Sequence, residues 1–250
     1  MDSIAIVVDV VLGAAIGVLG GLLGIGGGML VIPILGIFYG MDQQHAQGTA
    51  LAMVVPNVVV GLWQYAKRGM DRRLAFALAG AAVPLTYLGA RAAVLLPSRP
   101  LRIGFGAFLL LIAAQSVWKA LNRAGAAQRR APLPWPFATI VGALGGALSG
   151  LFSVGGAVFA VPLMTTMFGV TQAAAQGLGL ALVAPGTFVG IATYAGAGDV
   201  DWRVGIPLAL GGVAVVPYGV ALAYRIPERA LRLLFATLIG IAAIALIARA

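Results

Sequence analysis

Two glycine-rich segments contain the residues of this sequence that are best suited to bind a ligand. They cover residues 24–28 and 153–157, and each precedes a short apolar stretch. A helix that starts after a glycine break presents free N–H groups and the positive end of its dipole. Such a helix start binds an anion without a charged side chain. The candidate binding residues of these segments are Gly24, Gly26, Gly27, Gly28, Ser153, Gly155 and Gly156.

Four polar side chains inside apolar stretches could add hydrogen bonds to the same anion. Gln47 and Gln176 each lie near the start of a long apolar stretch, and Asn57 and Thr187 each follow a proline within two residues. Two interpretations stay open for each of them. The side chain either contacts the ligand, or it bonds to a neighbouring helix or to the backbone freed by the proline.

The sequence contains few residues that could form a metal site, a cation site or a catalytic site. The chain has no cysteine, and of its seven acids only Asp9 falls within an apolar stretch. We expect the single histidine, His45, in a solvated loop, with no partner to make a metal or catalytic site. No Gly-Lys-Ser/Thr follows either glycine segment, which excludes a phosphate-binding loop. We therefore predict no enzyme activity, no cofactor and no metal site.

The elements that carry these residues are predicted to be membrane-spanning helices. Hydrophobic residues make up 61% of the chain and charged residues only 9%, whereas soluble proteins carry about 25% charged residues. Continuous apolar stretches of this length indicate helices and not barrel strands. Ten such segments are predicted: 4–23, 29–40, 46–66, 74–96, 101–121, 135–152, 157–169, 175–195, 203–224 and 230–248. The net charge of +9 is concentrated in loops, which indicates membrane topology and not nucleic-acid binding.

The two halves of the sequence are predicted to be two copies of one unit. With an offset of 129 residues, 23 of the 57 positions from Gly13 to Gly69 are identical in the second copy. The predicted units are a first membrane repeat at 1–121, a cytoplasmic linker at 122–134 and a second membrane repeat at 135–250. In each copy one segment, 29–40 or 157–169, contains a proline and is shorter than the about 20 residues that a span needs.

The orientation of the copies depends on whether these short segments cross the membrane. If they cross, the copies are inverted; if they re-enter, the copies are parallel. Loop 67–73 carries four basic residues, whereas the equivalent region 196–203 carries Arg203 beside two aspartates. This contrast favours inverted copies with loop 67–73 and the linker on the cytoplasmic side.

Smaller features have structural interpretations. The glycine rows at positions 13, 17 and 21 and at 142, 146 and 150 are predicted to bring helices into close contact. Tyr65 and Tyr194 lie near the ends of segments, so we expect them in an aromatic belt at the membrane interface. Gln43 and Gln172 are expected at the interface for the same reason.

The sequence also resembles a known family. The run Gly21–Pro33, then Gln47-Gly48-Thr49-Ala50, and a second Gly-Gly-x₅-Pro at 155–162 resemble the TauE/SafE sulfite exporter family. The resemblance implies a permease of the bacterial inner membrane that exports or exchanges small sulfur-containing anions such as sulfite or sulfonates.

The combined prediction is an all-α, multi-pass secondary transporter and exporter of such an anion. Two repeats, predicted to be inverted, would give alternating access to a site between them. The alternative is a passive anion channel of the same architecture. The expected partners are a small anion and the lipid bilayer, with no nucleic acid and no assigned oligomeric state.

Overall fold

The computed structural model describes residues 3–121, 133–153 and 155–247. Within these ranges the chain forms ten α-helices and a short 3₁₀ turn at Trp135–Phe137, with no β-strand. The predicted linker 122–134 lies outside the described residues except at 133 and 134. The helices are α1 (Ser3–Leu23), α2 (Gly28–Phe38), α3 (Gln43–Ala66), α4 (Arg72–Leu95), α5 (Ser98–Leu121), α6 (Ala138–Phe152), α7 (Gly155–Met167), α8 (Gln172–Gly196), α9 (Trp202–Ala223) and α10 (Glu228–Ile247).

The ten predicted segments are confirmed as helices, and seven of the described helices are long and apolar enough to cross a membrane. The helix starts differ most from the prediction. The side chain of Asp42 accepts a hydrogen bond from the His45 N–H at 2.9 Å, so α3 begins at Gln43 and not at 46. Thr171 caps α8 in the same way, and α8 begins at Gln172.

The first glycine segment reverses the chain between α1 and α2. Gly24, Gly26 and Gly27 all have positive φ angles of 66° to 91°, a conformation that glycine adopts at low cost. Gly27 then packs against Ile16, and the Tyr39 hydroxyl after α2 donates to Asp9 near the start of α1. Therefore α2 runs back along α1. With 11 residues it is about 16 Å long, too short to span the bilayer core.

The glycine rows hold two pairs of parallel helices in backbone contact. Gly13, Gly17 and Gly21 of α1 lie against successive turns of α9, and Gly142, Gly146 and Gly150 of α6 lie in the same way against α4. A Cβ atom added at any of the six would come within 3.0 Å of a carbonyl oxygen of the partner helix. The predicted role of these rows in helix packing is confirmed.

Helices α3 and α8 cross the centre of the protein in antiparallel directions. Gly48 of α3 lies against Tyr194 near the end of α8, and Gly177 at the start of α8 lies against Tyr65 near the end of α3. Helix α9 runs parallel to α3, since Gly205 lies against Ala52 and Gly212 lies against Asn57. The two helices that correspond at the 129-residue offset, α3 and α8, therefore run in opposite directions.

We expect Gly146→Ala to destabilise the protein by about 1–3 kcal/mol, because the new methyl group must push α6 away from the backbone of α4. The thermal unfolding temperature in detergent measures this change. Gly80→Ala is the matched control, since Gly80 lies on α4 with no atom within 4 Å of an added Cβ. The control should be neutral or slightly stabilising. An equal unfolding temperature for the two variants would contradict the packing role of Gly146.

Candidate functional site

Two buried tyrosine–glutamine pairs link the halves of the protein. The Tyr65 hydroxyl donates to Gln176 Oε1 at 2.9 Å, and the Tyr194 hydroxyl donates to Gln47 Oε1 at 2.6 Å. Each of the four side chains is at most 2% exposed. The expectation that these tyrosines belong to an interfacial belt is wrong, because each phenol is buried with a hydrogen-bond partner on the other half. Trp63, which is 56% exposed, does fit such a belt.

The first glycine segment contacts one of these pairs. The Tyr65 hydroxyl also lies 3.1 Å from the Gly21 carbonyl oxygen, and an added Cβ at Gly24 would meet the Gln176 side chain. Asn57 donates from Nδ2 to the Gly26 carbonyl oxygen at 3.4 Å. Of the predicted site residues, Gly24, Gly26, Asn57 and Gln176 therefore lie together.

In the second glycine segment, a serine and not a glycine adopts the left-handed backbone conformation. Ser153 takes the place of Gly24, and its φ of 64° is the one positive value of a non-glycine residue in the described chain. Its buried hydroxyl lies beside the Tyr194 hydroxyl but makes no hydrogen bond of normal geometry. Gly156 is packed against Gly145 and Leu182. A side chain in the left-handed region costs about 1–3 kcal/mol, which the surrounding packing must offset.

Several buried polar atoms near these pairs have no hydrogen-bond partner among the described residues. They include Gln47 Nε2, Asn57 Oδ1 and Ser153 Oγ, and Gln43 Nε2 is buried in the same way. Gln43 is 1% exposed, so its side chain is enclosed by protein at the start of α3. Thr187 is different, because its hydroxyl donates to the Ala184 carbonyl of its own helix at 2.8 Å. An amide N–H that is not used within the protein is free to donate to an anion.

The contacts of the predicted site residues are spread along the α3–α8 interface and do not form one shell. From Gln47 to Tyr65, α3 advances 18 residues, which corresponds to about 27 Å along a helix. The Tyr194–Gln47 pair with Ser153 occupies one end of the α3–α8 interface. The Tyr65–Gln176 pair with Gly24 occupies the other end, and the Asn57–Gly26 contact lies between them.

One end of this interface is covered by the loop between α8 and α9, and we call it the closed end. The Asp199 carbonyl sits directly on Gly48, and the Asp201 N–H donates to Thr49 Oγ1 at 2.9 Å. His45 Nδ1 lies 3.3 Å from Asp199 Oδ1 and 3.5 Å from Asp42 Oδ1. The expectation of a loop position is wrong, because His45 lies in the first turn of α3 with two aspartates beside it. The described residues include no group of three His, Cys, Asp or Glu side chains that could hold a metal ion.

The other end of the interface contains a pocket of about 120 Å³, and we call it the open end. The guanidinium of Arg68 lies 4.5 Å from the centre of the Tyr224 ring and donates to the Val220 carbonyl at 3.2 Å. Burial raises the pKa of Tyr224, and Arg68 partly counters this effect. The sequence interpretation missed this pocket, because its walls come from three separate parts of the chain. The lining residues are Tyr65, Arg68, Gly69, Met70, Thr171, Ala173, Ala174, Gly177 and Tyr224.

Comparison with known proteins identifies the family of this chain. A family model described as sulfite exporter TauE/SafE matches residues 10–246. The chain belongs to this family. It is also 29% identical over 228 residues to a probable membrane transporter protein of Xylella fastidiosa (strain 9a5c), an alignment that covers 88% of this chain and 86% of the relative. The predicted family and the multi-pass location in a bacterial inner membrane are confirmed, and the chain is a membrane transporter of the TauE/SafE type.

We expect the Tyr194–Gln47 hydrogen bond of this transporter to stabilise the folded state by about 0.5–1.5 kcal/mol. A double-mutant cycle of Tyr194→Phe and Gln47→Leu, followed by chemical unfolding in detergent, measures that coupling. The control cycle combines Tyr194→Phe with Gln176→Leu at the other end, where the two effects should add within about 0.5 kcal/mol. Additive effects in the first cycle would contradict the pairing.

We expect the closed end to become less stable as the pH rises. Burial raises the pKa of Asp199, although His45 partly lowers it, and Asp42 raises it further. The covered loop therefore binds more protons than an exposed loop, and its closure weakens as the pH rises through the raised pKa. Hydrogen exchange of the Asp201 amide, corrected for its intrinsic pH dependence, measures closure.

Two variants test this assignment. Asp199→Asn should flatten the pH dependence of exchange at Asp201. Asp71→Asn, which changes the N-cap of α4, should leave that dependence as in the wild type. If the exchange of Asp201 keeps its full pH dependence in Asp199→Asn, Asp199 is not the group responsible.

Proposed function

We propose that this chain is a secondary transporter that exports a small sulfur-containing anion, such as sulfite or a sulfonate, by alternating access between residues 1–121 and 135–250. The observation that carries the proposal is the pair of Tyr–Gln contacts at opposite ends of antiparallel α3 and α8. Each end repeats the chemistry of the other, with its donor and its acceptor on different halves. A substrate could therefore meet an equivalent set of groups from either side of the membrane.

The difference between the two ends supports alternating access. At the closed end, Gly48 is in contact with the backbone of the loop that follows α8. At the open end, the equivalent Gly177 is nearest to Tyr65, and the pocket separates α8 from the loop that follows α3. A transporter built from two inverted units has this asymmetry in any single state, and exchange of the two arrangements gives the opposite state.

The available groups favour an anion as the substrate. Asp9 is the one buried carboxylate among the described side chains, and it accepts a hydrogen bond from Tyr39. Gln47, Gln176 and Asn57 can donate N–H groups without adding charge, and the helix starts at Gly28 and Gly155 present further N–H donors. A cation would find almost no counter-charge in this interior, whereas the several oxygens of a sulfur oxyanion all accept hydrogen bonds.

The charge of the loops supports an orientation of the protein in the membrane. Lys67, Arg68, Arg72 and Arg73 lie at the open end, which the positive-inside rule places in the cytoplasm. The sequence contains no ATP-binding motif, so an ion gradient or the gradient of the substrate drives transport. In this orientation the open end receives the anion from the cytoplasm and the closed end faces outward.

Gradient-driven uptake of sulfite or a sulfonate into proteoliposomes tests the function. The wild type should show saturable flux, and the double variant Gln47→Ala with Gln176→Ala should lower it about ten-fold or more, since each buried amide that donates to an anion contributes roughly a factor of ten. Gln115→Ala is the matched control, because Gln115 is an exposed glutamine on α5.

Three outcomes would count against this proposal. They are no response of the wild type to either gradient, full activity in the double variant, and an equal loss in the Gln115→Ala control. Flux that rises with concentration without saturation would identify a passive channel instead.

A further inference from the structure

The pocket at the open end has the size and the charge to hold a small anion. Its volume of about 120 Å³ is several times the roughly 10–15 Å³ that one water molecule needs, so a small polyatomic ion fits. Arg68 is the charged residue among those that line it, and no carboxylate is present in that set. An anion placed there therefore meets a positive charge that no lining acid neutralises.

The guanidinium of Arg68 is held in place with donors to spare. It rests on the ring of Tyr224 and uses one of its five N–H groups on the Val220 carbonyl. The Tyr224 hydroxyl lies within reach of a second. The remaining N–H groups can form the paired hydrogen bonds that a planar guanidinium makes with oxyanions. Because its orientation is already fixed, little entropy is lost when the ligand binds.

The inner wall of the pocket is Tyr65, whose hydroxyl reaches the buried Gln176 and the Gly21 carbonyl. A ligand beside Arg68 is therefore separated from the Gln176–Gly24 cluster by one aromatic side chain.

The closed end has carboxylates and a histidine at the equivalent place. The positions that correspond to Thr171 and Ala174 of the pocket are Asp42 and His45, and Asp199 contacts that histidine. The same fold position is thus lined by an arginine at one end and by two carboxylates at the other. Such a difference attracts an anion to one face and repels it from the other.

We propose that the open-end pocket is the loading site of the transported sulfur oxyanion, with Arg68 as its charge partner and Tyr65 as the barrier to the buried cluster. The assignment rests on the proposed function for the identity of the anion. It predicts that Arg68 governs how readily anions occupy the pocket, whether or not transport follows.

The absence of cysteine from the chain allows a direct test. Ala174→Cys places a single thiol in the pocket, and Met70→Cys provides a second position there if the first variant is unstable. Each is modified in detergent with the anionic reagent 2-sulfonatoethyl methanethiosulfonate and with its trimethylammonioethyl counterpart. The rate with the anionic reagent is divided by the rate with the cationic reagent, and this ratio is divided by the same ratio for a free thiol. The result reports the electrostatic potential at the introduced cysteine.

We expect this ratio to favour the anionic reagent and to fall about five-fold with Arg68→Gln, since removal of one nearby charge changes the energy of the two reagents in opposite directions. Arg68→Lys should keep most of the preference. Lys67→Gln is the matched control: it removes the same charge from the adjacent residue, which lies over Trp63 and outside the pocket lining. It should change the ratio by less than about two-fold.

Occupancy is tested by adding methanesulfonate, with chloride at equal ionic strength as the reference for screening. Methanesulfonate should slow the labelling of the wild-type pocket more than chloride does, and Arg68→Gln should remove the difference. A rate ratio that Arg68→Gln leaves unchanged, or protection no greater than that by chloride, would overturn the loading site. The labelling experiment does not depend on transport, so it separates the two proposals. If methanesulfonate protects the pocket in an Arg68-dependent way but proteoliposomes show no uptake, the loading site stands and the transport function is rejected.

Discussion

A backbone group inside a bilayer must find its hydrogen-bond partner within the protein, and the break between α1 and α2 depends on this constraint. The carbonyl of Gly21 lies beside the Tyr65 hydroxyl, and the carbonyl of Gly26 accepts from Asn57. The Ile25 N–H donates back to Gly20. A glycine segment can therefore leave the helix at this depth because α3 supplies a phenol and an amide. The Tyr65 hydroxyl that lies beside the Gly21 carbonyl also donates to Gln176, so the groups around the break connect the two halves of the protein.

Close contact between backbones determines where these groups lie. Helix α9 packs against the glycine row of α1 with one face and against α3 with another. Gly212 of α9 lies so close to Asn57 that an added Cβ would come within 3.0 Å of the Asn57 amide. Small residues thus bring three helices close enough for a short side chain to reach the Gly26 carbonyl. In lipid, where helices gain little from hydrophobic association, this packing is a main source of stability. Stability and site geometry therefore come from the same contacts.

Apolar stretches and the 129-residue offset were sufficient to predict the ten helices, the two short ones and the burial of Gln47 and Gln176. They could not identify the partners of these glutamines, because the two tyrosines lie 111 and 147 residues away in sequence. A tyrosine near the end of an apolar stretch is typical of the membrane interface. The one sign of another role was that a tyrosine occurs at the equivalent positions 65 and 194 of the two copies. His45 was misplaced because Asp42 caps α3 earlier than hydropathy indicates, and because Asp199 reaches it from another loop.

The two copies are alike in their interiors and different at their ends. Each interior contains a tyrosine that donates to a glutamine of the other half, although among the described residues the carbonyl groups of the helix break accept from α3 only in the first copy. At the ends, the chain has Arg68 and Thr171 on one side and Asp42, His45 and Asp199 on the other. A long-range charge acts on an ion before it enters, whereas neutral amides act only at contact. The interiors of the two copies thus share their neutral tyrosine–glutamine pairs, and the charged side chains at the ends differ between the two faces of the protein.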